Sequence, residues 1–158
     1  MAVTATPIFP QTPNAGAMNV LLTAALTNTK AYDGTEATGS GKNELFYTAG
    51  ANGARIENFM VLLTSTNGAT ASGTTSATLV RFWLNNGAAN TTATNNQFIG
   101  EIAIPAATVT ALATAINPVY IFSYNKSIPA GYRVYAGTTV AVGGTNCALT
   151  VVPTAGDY

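Results

Sequence analysis

Ala54-Arg55-Ile56-Glu57-Asn58-Phe59-Met60-Val61-Leu62-Leu63-Thr64, a Gly/Thr/Ser/Asn insert, and then Thr78-Leu79-Val80-Arg81-Phe82-Trp83-Leu84 form the stretch that decides the fold. Both runs are rich in β-branched and aromatic residues, and neither has a helical period. With a turn-forming insert between them they predict an antiparallel strand pair. Leu79, Val80, Phe82, Trp83 and Leu84 are too apolar for a strand with one wet face, so the second run is expected to be covered on both sides.

Working outward, the same signals recur at short spacing. Asn19 to Thr27 fits neither period cleanly and reads as a strand before a short helix, Glu44 to Ala49 reads as a strand, and Lys30 to Asn43 as a solvated loop. Asn52-Gly53 is the strongest hairpin signal in the chain. Asn85 to Asn96 reads as a surface loop, as does the segment 66–76. Gln97 to Ile104 alternates like a half-buried strand that Pro105 ends. Ala106 to Asn117 has room for a helical turn, although its threonines oppose a long helix. Val119 to Tyr124, Gly131 to Ala136, Thr138 to Val142 and Cys147 to Val152 complete the set. About eight strands result, which predicts an all-β chain: an antiparallel β-sandwich or jelly roll spanning 18–158. Residues 1–17 carry Pro7, Pro10, Pro13 and Gly16 and are expected to form an extended N-terminal arm. Ile8 and Phe9, its large apolar pair, are its candidate anchors, on a neighbouring subunit or on its own domain.

Only 8% of the 158 residues are charged, and six Lys/Arg balance six Asp/Glu. Ordinary domains carry about 25%. A neutral, charge-poor surface opposes association weakly, which suggests life in an assembly. Scattered basic residues give no footprint for nucleic acid. The start lacks the basic and apolar regions of a secretory signal, and Ile102 to Ile116 is too short and too interrupted to span a bilayer. Synthesis in the cytosol is therefore expected, and the sequons at Asn90 and Asn125 would mark only surface loops.

Chemistry is mostly excluded. The absence of histidine removes His-based triads and the usual zinc sets. A lone Cys147, within an alternating run, reads as a buried structural thiol. Gly39-Ser40-Gly41-Lys42 fails as a phosphate loop, because Glu36 occupies the place of the first glycine and Asn43 that of the Ser/Thr. Asp33, Glu36 and Glu44 are close enough to suggest calcium, but their spacing does not match the twelve-residue loop, and a solvated acidic loop is the simpler reading. Arg81 with Glu101, and Arg55 with Glu57, are expected as surface or cross-strand ion pairs. Phe59, Phe82, Trp83, Tyr120, Phe122, Tyr124, Tyr132 and Tyr135 read as core or interface before they read as a sugar-binding face. No catalytic, cofactor or metal site is expected.

Three segments together carry a resemblance: Phe46-Tyr47-Thr48-Ala49-Gly50-Ala51-Asn52-Gly53-Ala54-Arg55-Ile56-Glu57, then Val80-Arg81-Phe82-Trp83-Leu84-Asn85-Asn86-Gly87, then Ile128-Pro129-Ala130-Gly131-Tyr132-Arg133-Val134-Tyr135, with a terminal Gly156-Asp157-Tyr158. Over roughly 44–158 the chain resembles small structural proteins of tailed bacteriophages and prophages, of the head decoration or cement type. It departs from them at Pro153-Thr154-Ala155, where they carry an aromatic and a second glycine. The resemblance implies a virion protein, assembled in the host bacterial cytoplasm. Its partners would be the major capsid protein and copies of itself, as dimer or trimer, with no nucleic acid, membrane or cofactor. On that view, deleting residues 1–17 leaves a folded body that no longer attaches. The rival readings are a receptor- or glycan-binding module of a tail, which needs a cluster of exposed aromatics, and a glycan-cleaving enzyme, which needs two carboxyls about 5–10 Å apart.

Overall fold

The computed structural model describes residues 10–17, 20–27, 32–36, 38–39, 41–65, 72–110, 118–144 and 147–158. Eleven strands lie among them: β1 (Thr12–Pro13), β2 (Leu21–Leu22), β3 (Asn43–Thr48), β4 (Ala54–Ser65), β5 (Ser72–Thr74), β6 (Thr78–Asn85), β7 (Asn96–Ile104), β8 (Thr108–Thr110), β9 (Val119–Ile128), β10 (Arg133–Thr138) and β11 (Cys147–Asp157). One sheet has the order β1-β11-β4-β9, with β2 also on β11; the other runs β3-β10-β6-β7; β5 and β8 form a small ribbon. All these pairings are antiparallel. The chain is an all-β sandwich, as its patterning predicts.

The two decisive runs do not pair with each other. Ala54–Ser65 lies between β11 and β9, whereas Thr78–Asn85 lies between β10 and β7. They meet across the core instead, where the Phe59 and Phe82 rings are 5.0 Å apart. From β2 onward, every step between strands of the two main sheets crosses the sandwich except β6 to β7. The Asn52-Gly53 turn therefore carries the chain from one sheet to the other and closes no hairpin. Its geometry is still that of a tight turn. Gly53 donates to the Gly50 carbonyl at 3.1 Å and sits at φ +88°, where a side chain would press on the Ile128 carbonyl.

A slip at Glu57 sets which face of β4 is buried. Ala54 and Ile56 point inward before it, and Phe59, Val61 and Leu63 after it. Both neighbours of β4 shift register at that point. The β9 side accommodates the slip at Asn125, which takes φ +55°. The core between the sheets is aromatic: Phe59 and Phe82 touch each other, and each touches both Phe46 and Phe122.

Pro153 sits inside β11, where a missing N–H would normally break a ladder. On that strand's outer side β2 reaches only Leu149 and Thr150, and β1 only Gly156 and Asp157. The Ala155 carbonyl accepts from Asn14 on this side, so alternation places the Pro153 nitrogen towards the gap between β2 and β1. The proline ring packs against Gly16.

Several local expectations change. Thr138 to Val142 is not a strand beyond Thr138. The Val142 carbonyl takes the Ser76 N–H and its N–H goes to the Thr23 carbonyl, so loop partners replace a ladder. Thr108–Thr110 is extended against Ser72–Thr74 and forms no helical turn, while 111–117 lie outside the described residues. Among the described residues of Asn19 to Thr27, only the two-residue β2 and a bridge at Ala25 form. The 85–96 loop is not simply solvated, because Asn85 and Asn90 are buried, and Asn90 donates to the Glu36 carbonyl at 2.8 Å. Of the other expected solvent loop, 66–71 lie outside the described residues.

Residues 10–17 run extended along the body. Gln11 donates to the Asp157 carbonyl, Ala17 to the Phe46 carbonyl, and Asn14 Nδ2 to Asp157 Oδ2 at 2.9 Å. Asp157 Oδ1 also accepts from the Tyr47 hydroxyl (3.0 Å) and the Gly50 N–H (3.1 Å). Burial, and then the hydrogen bond and charge of Asp157, push the Tyr47 phenol well above its usual range. A folded pKa above the unfolded value of about 10 means that this stabilisation is complete below pH ~10 and is lost as pH rises further. Denaturation midpoints should fall above pH ~10, and Tyr47→Phe should flatten that fall; identical alkaline slopes for the two proteins would refute the assignment.

Candidate assembly surface

The outer faces of the two sheets differ. On the β3-β10-β6-β7 sheet, the chain covers itself. Trp83 donates through Nε1 to the Tyr32 carbonyl at 3.2 Å, and the Arg81 guanidinium lies 4.0 Å over the Tyr32 ring. Tyr32 in turn meets Phe98 edge-on at 4.8 Å. Gly34, at φ +65°, lets the backbone pass so close to Trp83 that a Cβ there would sit 2.8 Å from the indole. Asn43 holds this cover by donating to the carbonyls of Gly34 and Glu36. The β6 run is thus covered on both sides, as its composition requires, with Val80 and Phe82 inward and Arg81 and Trp83 under the 32–36 loop.

The outer face of the β1-β11-β4-β9 sheet carries no such cover among the described residues. Beyond the slip, the residues of β4 that point away from the core are Asn58, Met60, Leu62 and Thr64. Register places Leu62 beside Val119 and Thr150, Met60 beside Ile121 and Val152, and Leu21 beside Thr150. Ile121 is 58% exposed, Val119 48% and Leu21 38%. The next row, Thr154, Asn58 and Ser123, is polar and uncharged. With strands ~4.8 Å apart and ~3.4 Å per residue, the face measures about 15 by 20 Å. An apolar patch of a few hundred Å² is the size of the largest patch on a typical monomer, which is often functional. Its polar border of threonine, serine and asparagine matches the usual rim of an interface.

The residues singled out by sequence are distributed as follows. Ile8 and Phe9 lie outside the described residues. Arg81 and Glu101 pair at 3.0 Å, as expected. Arg55 reaches Asn125 at 3.5 Å, and no Arg55–Glu57 ion pair forms among the described residues. The three acids near residue 40 organise their own loops. Asp33 accepts from Thr35, Glu36 from Thr27 with Lys42 at 3.8 Å, and Glu44 from the Gly41 N–H. No cluster of three metal-ligating side chains occurs among the described residues. Cys147 is buried, as its run predicts. Phe59, Phe82, Trp83 and Tyr135 are buried, and Tyr120, Phe122, Tyr124 and Tyr132 pack half-buried against the core.

No protein-family model, no curated protein and no solved structure matches the chain. The reading of this surface therefore stands on its geometry and chemistry. The anchors expected from the sequence lie on the leading segment and do not include Met60, Leu62, Val119 or Ile121. The signal was present: Phe59-Met60-Val61-Leu62-Leu63 is a five-residue apolar run without alternation, which on a sheet means two apolar faces.

Proposed function

We propose that this protein is a structural component of a tailed-bacteriophage virion, a capsid decoration or cement protein that binds the major capsid protein and stabilises the head. The observation that carries this reading is the uncharged apolar outer face centred on Met60 and Leu62, on a sandwich whose other sheet is covered over Arg81 and Trp83 by its own loop. Burying that face against a protein surface is favourable by about 25 cal/mol per Å² and meets no charge that would have to be desolvated. The resemblance to head decoration proteins supplies the partner class. The leading segment, with Ile8 and Phe9, adds a second anchor to the same attachment. Its place of action is the virion, after assembly in the host cytoplasm.

Phage particles purified from a lysate producing the protein should contain it at a fixed copy number, read by mass spectrometry. Leu62→Asp, which puts a charge on an outward position, should fold normally and lower particle occupancy at least tenfold. Particles devoid of the wild-type protein, or full occupancy by the variant, would overturn the reading. A tail receptor- or glycan-binding module is the alternative. It would show instead as density on the tail by electron microscopy and as glycan-array binding.

A further inference from the structure

We infer that the free edge of β9 is a self-recognition strand: two copies of this chain pair their β9 edges antiparallel about a two-fold axis centred on Ile121. The inference deepens the assembly reading above by naming the partner as a second copy.

The other sheet edges are protected. An open strand edge presents unpaired backbone groups to any passing strand, and natural proteins guard against this with short strands, charges, prolines or bulges. β1 and β2 are two residues long. The outer edge of β3 is occupied by Ala17, which donates to the Phe46 carbonyl, and by the bridge at Thr38. On β7, Glu101 is exposed, and a register slip falls between Phe82 and Trp83 opposite it.

β9 differs. Among the described residues, only β4 pairs with it. The bulge at Asn125 and the charge of Lys126 guard its second half. Val119-Tyr120-Ile121-Phe122-Ser123 has no charge, proline or bulge, and exposes Val119 and Ile121. This is a flat, hydrophobic, five-residue edge.

Its sequence also suits pairing with itself. Around Ile121 a two-fold places Ile121 opposite Ile121, Tyr120 opposite Phe122, and Val119 opposite Ser123. The inner-face contact is then aromatic against aromatic, a favourable cross-strand combination, and the outer-face contact is Ile121 on Ile121, flanked by Val119 on Ser123. No like charges meet, since the stretch has none. The pairing would also join the two apolar outer faces side by side, doubling the surface offered to a capsid. A five-residue edge is a small interface, so the dimer belongs to the weak, reversible class.

The test uses the full chain. Analytical ultracentrifugation across the micromolar range should show a reversible monomer–dimer equilibrium. Ile121→Lys should weaken the dimer at least tenfold while leaving circular dichroism and the melting temperature unchanged, since the side chain is exposed. Ile121→Glu should do the same, and mixing the two variants should restore a one-to-one dimer, because only a two-fold through Ile121 brings the new charges together. A wild-type chain that stays monomeric, an Ile121→Lys protein as dimeric as wild type, or a mixture that fails to associate would each overturn the inference. So would a monomer that dimerises only after residues 1–9 are deleted, which would show the edge covered by the chain itself. Dimerisation without attachment to particles would support this inference and sink the head-decoration reading. Attachment by a monomeric protein would do the reverse.

Discussion

Phe82→Ala is expected to destabilise the protein by about 3–5 kcal/mol, the usual cost of removing a buried phenylalanine. Phe82 is fully buried and touches three other rings, Phe46 at 6.1 Å, Phe59 at 5.0 Å and Phe122 at 5.0 Å. Its neighbours come from both sheets, so the cavity would open at the seam of the sandwich, where neither sheet can move inward without breaking its ladder. The upper part of the range is therefore expected, with a fall in melting temperature on the order of 10 °C. Urea denaturation measures it as a lower midpoint at unchanged slope. A loss below about 1 kcal/mol would mean that the rings do not form the central contact between sheets.

Asp157→Ala should cost about 3 kcal/mol, although it removes a single side chain one residue from the end of the sequence. The carboxylate accepts from Asn14, Tyr47 and Gly50. Hydrogen bonds to a charged group contribute about 1.5–3 kcal/mol, and a donor left buried without a partner costs about 1–3 more. Gly50 fits only because it lacks a Cβ, which would lie 2.8 Å from the carboxylate oxygen. The variant should also release 10–17 from β11, seen as faster amide exchange at Gln11 and Asn14. Asp157→Asn, which keeps one carbonyl oxygen as acceptor, should lose less. Equal stability of Asp157→Ala and wild type would show that the cluster contributes no net stabilisation.

The longer strands were legible because period-two patterning and turn residues are local; the short β1, β5 and β8 were not. The buried sides of β3, β6 and β11 follow from their own residues, and even the slip at Glu57 is written in Ile56-Glu57-Asn58-Phe59 as two successive polar positions. The partners of those strands were not legible. Asn52-Gly53 specifies a tight turn in either setting. Whether the next strand returns beside the last or crosses to the other sheet depends on contacts such as Phe59 on Phe82, 23 positions apart in sequence. The candidate surface was hidden for a similar reason. Phe59 to Leu63 and Leu79 to Leu84 both read as apolar on two faces. One of them is covered by a loop whose cover depends on Tyr32, Gly34 and Asn43.

Amino-acid order alone thus determined that this is an all-β chain, roughly where its longer strands lie, and that it has no histidine and few charges. Tertiary structure alone decided which sheet each strand joins and, among the described residues, which apolar face is closed, which is open, and that β9 ends a sheet with its edge unguarded. Local pattern sets what a segment can bury. What it does bury is set by neighbours distant in sequence, because apolar burial is non-directional and a strand accepts any edge that fits.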